Sequence, residues 1–330
     1  PMVPDRISNL FSERISSCER YIEQLLIISD NASKEWAVEK LLSTMKNEWE
    51  PLVYTYVTEY RGTGAAIVRG ESVDSVQELL DEQIVKTQTL TNLPQAKVFI
   101  DEVQSWLKFL ETSQAIIDVW LSVQSSWMYL YPVFGSDDIK RALESESLAF
   151  LQVDDEWRRL MQRAVLKPQC LKVHEIPKLL ERLEKMSSML EDIHAGLKRY
   201  LESKRLGFPR FFFLSDEELL SILAETKDPR KVNSHLRKLF DGVDTVTFHG
   251  DDMDLEIVSV LSNKKEEVML AEPVDPLAFG SGACEKWLKI LEKTVWKSIR
   301  GEVQIAVEQY DENKREEWLL NRAAQVAVNV

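Results

Sequence analysis

Along most of the chain, apolar residues recur every three or four positions, and the pattern breaks only where glycine and proline cluster. Over residues 5–29, Ile7, Leu10, Phe11, Ile15, Cys18, Ile22, Leu25 and Leu26 mark one helical face. A second helix is expected from 31–33 onward through Trp36, Val38, Leu41, Leu42, Met45, Trp49 and Leu52, ending at Gly62 and Gly64. A third starts at Asp74 and carries Val76, Leu79, Leu80 and Ile84. The longest pattern covers 94–130, from Val98 and Phe99 to Trp127 and Leu130, and Pro132 and Gly135 should stop it. Ser136 is then placed to cap a short helix with Asp137 and Asp138 in its first turn, where carboxylates suit the helix dipole. Further helices are expected over 147–166 and 177–204, separated by a break containing Pro168 and Pro177.

The text changes character at 207–226, "GFPRFFFLSDEELLSILAET". The run of aromatics reads as a short extended connector whose alternate side chains reach opposite faces. Ser215 and Glu218 form an S-x-x-E capping box, and Asp228-Pro229 repeats the start signal. Residues 244–276 carry the β pattern. "TVTFHG" alternates, and "DLEIVSVLS" and "EEVMLAEPV" flank a polar turn at 262–265, which predicts a hairpin. A last helix or pair covers 282–330, with Trp287, Leu291, Trp296, Ile299, Val303 and Trp318. The expected fold is therefore mainly α, an elongated rod of stacked helical bundles with one small β-hairpin insertion. Its expected parts are 1–145, 146–243, the hairpin at 244–276, and 277–330.

Composition narrows the function. With 330 residues, 44% of them hydrophobic, the chain can build two or three cores. The 55 acidic against 41 basic residues leave a net charge of −14, which disfavours a nucleic-acid binder. Three dispersed cysteines, Cys18, Cys170 and Cys284, offer neither a disulfide framework nor a zinc cluster and fit a reducing compartment. No signal peptide or membrane span is legible, so no membrane partner is expected. The first and last residues read as interior positions, which predicts a piece of a longer chain.

Catalytic constellations are not expected. The nearest approach to a phosphate loop, "RGTGAAIVRG" at 61–70, has no lysine and no preceding strand, and Ile67 stands where a dinucleotide fingerprint needs glycine. It reads as a helix C-cap and turn. His174, His194, His235 and His249 have no metal-ligand spacing and read as solvated or internally satisfied. Acidic pairs such as Asp154/Asp155 sit at helix starts and turns. Trp106, Trp120 and Trp127, at spacings of fourteen and seven, share a helix face and read as core, with an exposed docking patch as the alternative.

Four phrases carry a resemblance. "FPRFFFLSDEELLSILAETKDPRKVNSHLRK" at 208–238, "VWLSVQSSWMYLYPVFGSDDIKRAL" at 119–143, "VDDEWRRLM" at 153–161 and "EKWLKILEKTVWKSIR" at 285–300 resemble, in order and spacing, the linker domain of dynein heavy chains. The second phrase looks more like axonemal members. Leu239 stands where the family often has cysteine, and Val133 where isoleucine is common. The resemblance implies a mechanical lever with no catalytic, cofactor or metal residues of its own. ATP and Mg would be bound in the AAA+ ring of the parent motor, with the tail before Pro1 and the first AAA module after Val330. The implied partners are that ring, the tail and its associated chains, and the microtubule only through distant parts. The implied location is the cytoskeleton of a cilium or flagellum axoneme.

Within that frame Phe208, Pro209, Arg210, Phe211, Phe212, Phe213, Leu214, Ser215 and Glu218 form the family motif and are expected to stiffen the joint between helices. Pro132, Gly135 and Ser136 are the candidate hinge, with 166–177 as runner-up. Phe248, Asp254, Glu256 and Lys264 are the candidate ring-docking residues of the hairpin. A free-standing helical scaffold that binds protein partners is the alternative from another class.

Overall fold

The computed structural model describes residues 4–224, 228–251, 255–279, 283–310 and 314–320, with side chains from residue 21 on, Gln95 excepted. The described residues are mainly α. Two compact units divide it, one made of residues 1–125 and 154–187, the other of 126–153 and 188–330.

The first unit begins with α1 (Pro4–Glu48), where two helices were expected. Neither glycine nor proline interrupts residues 5–48, and the polar groups near residue 31 are satisfied within one helix. Ser33 donates to the Ser29 carbonyl at 2.8 Å, and Lys34 pairs with Asp30 one turn away at 2.6 Å. The helix ends short of Pro51, three residues beyond its last one. Of the described positions of the predicted faces, Ile22, Leu25, Leu26 and Trp36 are exposed, and Val38, Leu42, Met45 and Trp49 are buried.

Gly62 and Gly64 close no α-helix; Gly62 ends a 3₁₀ turn over Tyr60–Gly62. They sit in the turn between β1 (Tyr56–Val57) and β2 (Ile67–Val68), which pair antiparallel, so a strand does precede 61–70. Arg61, Gly62 and Gly64 have φ of 46°, 72° and 68°, a left-handed path that favours glycine. α2 (Gly70–Thr91) follows, then a 3₁₀ turn over Pro94–Phe99 and α3 (Ile100–Val133). Pro132 lies inside the last turn of α3 and does not stop the helix ahead of it. Trp106 and Trp120 on α3 are buried in this unit. Trp49 is fully buried, packs edge-on against Trp106, and donates its indole N–H to Gln83 Oε1 at 2.9 Å. The Gln83 amide in turn donates to the Met45 carbonyl at 3.1 Å. This buried amide satisfies the polar edge of an indole that contributes about 1.5–3 kcal/mol through its apolar burial.

α4 (Asp137–Ala142), α5 (Glu144–Leu166), α6 (Cys170–His174) and α7 (Leu179–Gly207) come next. In the second unit α8 (Asp216–Ala224) and α9 (Asn233–Leu239) lead to a three-stranded antiparallel sheet, not a lone hairpin. Its strands are β3 (Thr245–His249), β4 (Glu256–Leu261) and β5 (Glu267–Val274), in that order. The expected hairpin is β4–β5, closed by Lys265 N–H to the Ser262 carbonyl at 2.9 Å. The alternating run 245–249 joins β4 on its other edge, with Val246 opposite Val260. A two-stranded ribbon is marginal in water, and a third strand together with a helix beneath supplies what it lacks. That helix is α10 (Cys284–Glu308), where Ser298 Oγ accepts from the Ala271 N–H of β5 at 2.8 Å. α11 (Arg315–Leu320) follows, and Trp318 donates to the Ala306 carbonyl at 2.9 Å.

Candidate functional site

The aromatic run at 208–214 is not extended. It folds as a 3₁₀ turn over Pro209–Phe213. Pro209 fixes φ at a helical value in the first position of the turn. With three residues per turn, positions i, i+3 and i+6 share a face. Phe208, Phe211 and Leu214 therefore point inward, at 1%, 0% and 3% exposure, while Phe212 and Phe213 point to solvent at 62% and 69%. The expectation that all three phenylalanines stiffen the joint is corrected: Phe211 is the buried one. It meets Phe208 edge-on with ring centroids 5.1 Å apart.

Arginines hold this turn to its neighbours. Arg205 on α7 donates to the Leu214 carbonyl at 3.1 Å and pairs with Asp216 at 2.7 Å, joining α7 to the start of α8. Arg210 donates to Glu292 of α10 at 2.8 Å and to the Leu239 carbonyl at the end of α9 at 2.9 Å, and lies over the Phe240 ring. Lys204 reaches Glu285 of α10 at 2.8 Å. One short turn thus fastens four helices of the second unit by fork-shaped, charge-assisted contacts that a lysine at position 210 could not all make.

The capping box is formed. Glu218 N–H donates to Ser215 Oγ at 3.2 Å, and Ser215 N–H donates to Glu218 Oε2 at 3.1 Å. Glu218 also pairs with Lys238 of α9, and that bond, followed by the one from Ser215, holds its carboxyl below the usual carboxylate range. Ser215→Ala is expected to cost about 1 kcal/mol, read as a lower urea midpoint with unchanged slope. No change in midpoint would show that Glu218 and Lys238 hold the helix start without the hydroxyl. The second start signal also forms, with Arg230 N–H on Asp228 Oδ1 at 3.1 Å.

At the candidate hinge, Pro132 is helical and Gly135 turns the chain so closely that a Cβ there would stand 3.0 Å from the Pro132 carbonyl oxygen. Ser136 precedes α4 but does not cap it with its side chain; its hydroxyl donates to the Ala224 carbonyl at the end of α8, at 3.1 Å. Phe134 is buried and stacks on Phe150. The runner-up segment is tied down by Tyr54 N–H to the Pro168 carbonyl at 2.8 Å and Cys170 N–H to the Leu52 carbonyl at 2.9 Å. Of the hairpin candidates, Phe248 lies on β3, Glu256 opposite His249 on β4, and Lys264 in the exposed turn. Asp254 lies outside the described residues.

A further polar cluster escaped the sequence reading. His174 on α6 meets Tyr54 Oη at 3.0 Å through Nε2 and Ser113 Oγ at 2.8 Å through Nδ1. These partners stand 120 and 61 residues away, so no local signal joins them. Burial lowers the imidazole to about 4. The neighbouring Cys170 thiol is pushed up to about 12 by burial, as is that of Cys284, so both stay protonated and unreactive near neutral pH. Among the described residues no group of three or more His, Cys, Asp or Glu is placed to hold a metal ion.

The framework around these residues is matched across almost its whole length. Residues 6–306 fit the family model described as dynein heavy chain, N-terminal region 2. The chain belongs to the dynein heavy chain family. It is 40% identical over 308 residues to dynein axonemal heavy chain 12 of Homo sapiens, covering 93% of this chain and 10% of that one. Dynein axonemal heavy chain 3 of Homo sapiens is 39% identical over 311 residues, 94% of this chain and 7% of the relative. Dynein axonemal heavy chain 1 of Rattus norvegicus is 36% identical over 308 residues, 93% of this chain and 7% of the relative. The chain spans a tenth or less of the length of these heavy chains. The resemblance carried by the phrases at 119–143, 153–161, 208–238 and 285–300 is thus borne out at the level of the family, and these relatives are axonemal.

Proposed function

We propose that the chain is the linker, the mechanical lever, of an axonemal dynein heavy chain, and that it passes ATP-driven changes of the AAA+ ring to the tail. The observation that carries this reading is the match of residues 6–306 to a dynein heavy chain N-terminal region. A lever must be stiff where it transmits force, and the Phe211 turn with its Arg205 and Arg210 contacts supports such a role, since it fastens α7, α8, α9 and α10 to one another. In this reading ATP and Mg are bound by the ring outside this segment. The ring of the same chain and the tail with its associated chains are the direct partners, and the microtubule is met only through distant parts. Bending is assigned to 131–138 and contact with the ring to the β3–β5 sheet.

The test uses the full-length heavy chain. With donor and acceptor dyes on this segment and on the ring, energy transfer is expected to differ between ATP-bound and nucleotide-free motor. Arg210→Ala is expected to lower microtubule gliding velocity without a matching loss of ATP hydrolysis, because it releases α10 from the 3₁₀ turn. Identical energy transfer in every nucleotide state would end the lever reading.

A further inference from the structure

On a chain of net charge −14, the outer face of α10 is basic. At about 100° per residue, Lys286, Lys289, Lys293, Lys297 and Arg300 fall within an arc of about 80° and run along about 21 Å of helix. All five are exposed. Of the four carboxylates of the same helix, Glu285 is engaged by Lys204 and Glu292 by Arg210, each at 2.8 Å, and Glu302 and Glu308 lie beyond the stripe towards its C-terminal end. Lys297 pairs with Glu272 of β5 at 2.5 Å. Among the described residues Lys286, Lys289, Lys293 and Arg300 have no ion pair. Like charges one turn apart repel by a few tenths of a kcal/mol per pair, so the stripe weakens the isolated helix.

A second observation adjoins the stripe. Trp296, at its edge, is 71% exposed, on the opposite side of α10 from the buried Trp287. It forms the lip of a groove of about 710 Å³ between α10 and the β4–β5 hairpin. Ile299 and Val303 line it from α10, and Val260, Leu261 and Val268 from the sheet, with Arg300 where groove and stripe meet; the carboxylates of Asp241, Glu266 and Glu292 also line it, the last engaged by Arg210. Tryptophan and arginine beside an apolar recess are the residue types that concentrate binding energy at protein interfaces.

We infer that the basic face of α10 and the groove beside it form a docking site for an acidic amphipathic helix of a protein partner. Cations repeating at three- and four-residue intervals match carboxylates repeating at the same intervals on a facing helix, and the groove takes the apolar side chains next to them. Extended polyanions fit less well. Phosphates offer nothing to fill an apolar groove, whereas an amphipathic helix brings apolar side chains beside its carboxylates.

The test titrates the 330-residue chain into a fluorescein-labelled helical peptide of about 18 residues, with glutamates every three or four positions on one face and leucines beside them. Saturable, salt-sensitive binding is expected. Trp296→Ala should raise Kd about tenfold. The triple variant K289E/K293E/R300E should abolish binding, while K185E/K198E, on the exposed face of α7, should leave it unchanged. All these positions are exposed, and circular dichroism checks that the variants remain folded. The inference is overturned if the peptide does not bind, if a scrambled peptide of equal charge binds as well, or if the α10 variants bind like the parent. It is also overturned if phosphatidylserine vesicles or a DNA duplex, and not the peptide, engage the α10 residues.

Discussion

Phe211→Ala is expected to destabilise the second unit by about 3–5 kcal/mol, whereas Phe212→Ala should stay within about 0.5 kcal/mol of the parent. The two residues are adjacent and identical, so composition and propensity cannot separate them. Their surroundings do, because Phe211 is completely buried and Phe212 is 62% exposed. Truncating Phe211 removes the edge-on partner of Phe208 and leaves a cavity beneath the turn that fastens α7, α8 and α10. A cavity there closes poorly, because Arg205 and Arg210 hold the backbone around it. Urea titration followed by circular dichroism reads the difference as a lower midpoint for Phe211→Ala alone. Because two compact units need not unfold together, the transition should be followed at more than one probe. Equal midpoints for the two variants would show that the 3₁₀ turn is not the buried joint.

Acid should destabilise the first unit through His174. Its imidazole lies at about 4 in the folded chain because burial disfavours the charged ring, against about 6.5 in an unfolded chain. The sign follows directly. Between these values the unfolded state binds the extra proton, so stability is full above about pH 6.5 and is lost as pH falls towards 4. A shift of this size corresponds to at most about 3 kcal/mol. The residue is not fully buried, which reduces that figure. The hydroxyls of Tyr54 and Ser113 can each accept from an imidazolium, so the cost is one of desolvation more than of broken hydrogen bonds. Two measurements check this. The His174 ring signals in a nuclear magnetic resonance titration should not move above about pH 5. His174→Gln should flatten the fall in stability between about pH 6.5 and 4, the remaining slope belonging to the carboxylates. A titration midpoint near 6.5 in the folded chain would refute the mechanism.

The period of the apolar residues alone determined that this is a mainly α protein, because a 3.6-residue repeat can be buried only as a helix. Local start signals were equally legible. Ser215 with Glu218, and Asp228 with Arg230, bond across two or three residues, a range at which sequence and space nearly coincide. The family was legible too, because its phrases keep order and spacing over residues 119–300. What the sequence left open depends on partners far along the chain or on a competition that local pattern cannot decide. Asn31 to Ser33 could start a helix or lie within one, and one helix prevailed because its polar groups found partners a turn away. The aromatic run could be extended or 3₁₀, and only packing against α7 and α10 chose the turn that buries Phe211 and exposes Phe212. The His174 cluster and the engagement of Glu285 and Glu292 on α10 are settled by long-range contacts, whose closure over tens of residues leaves no mark in any short window of sequence.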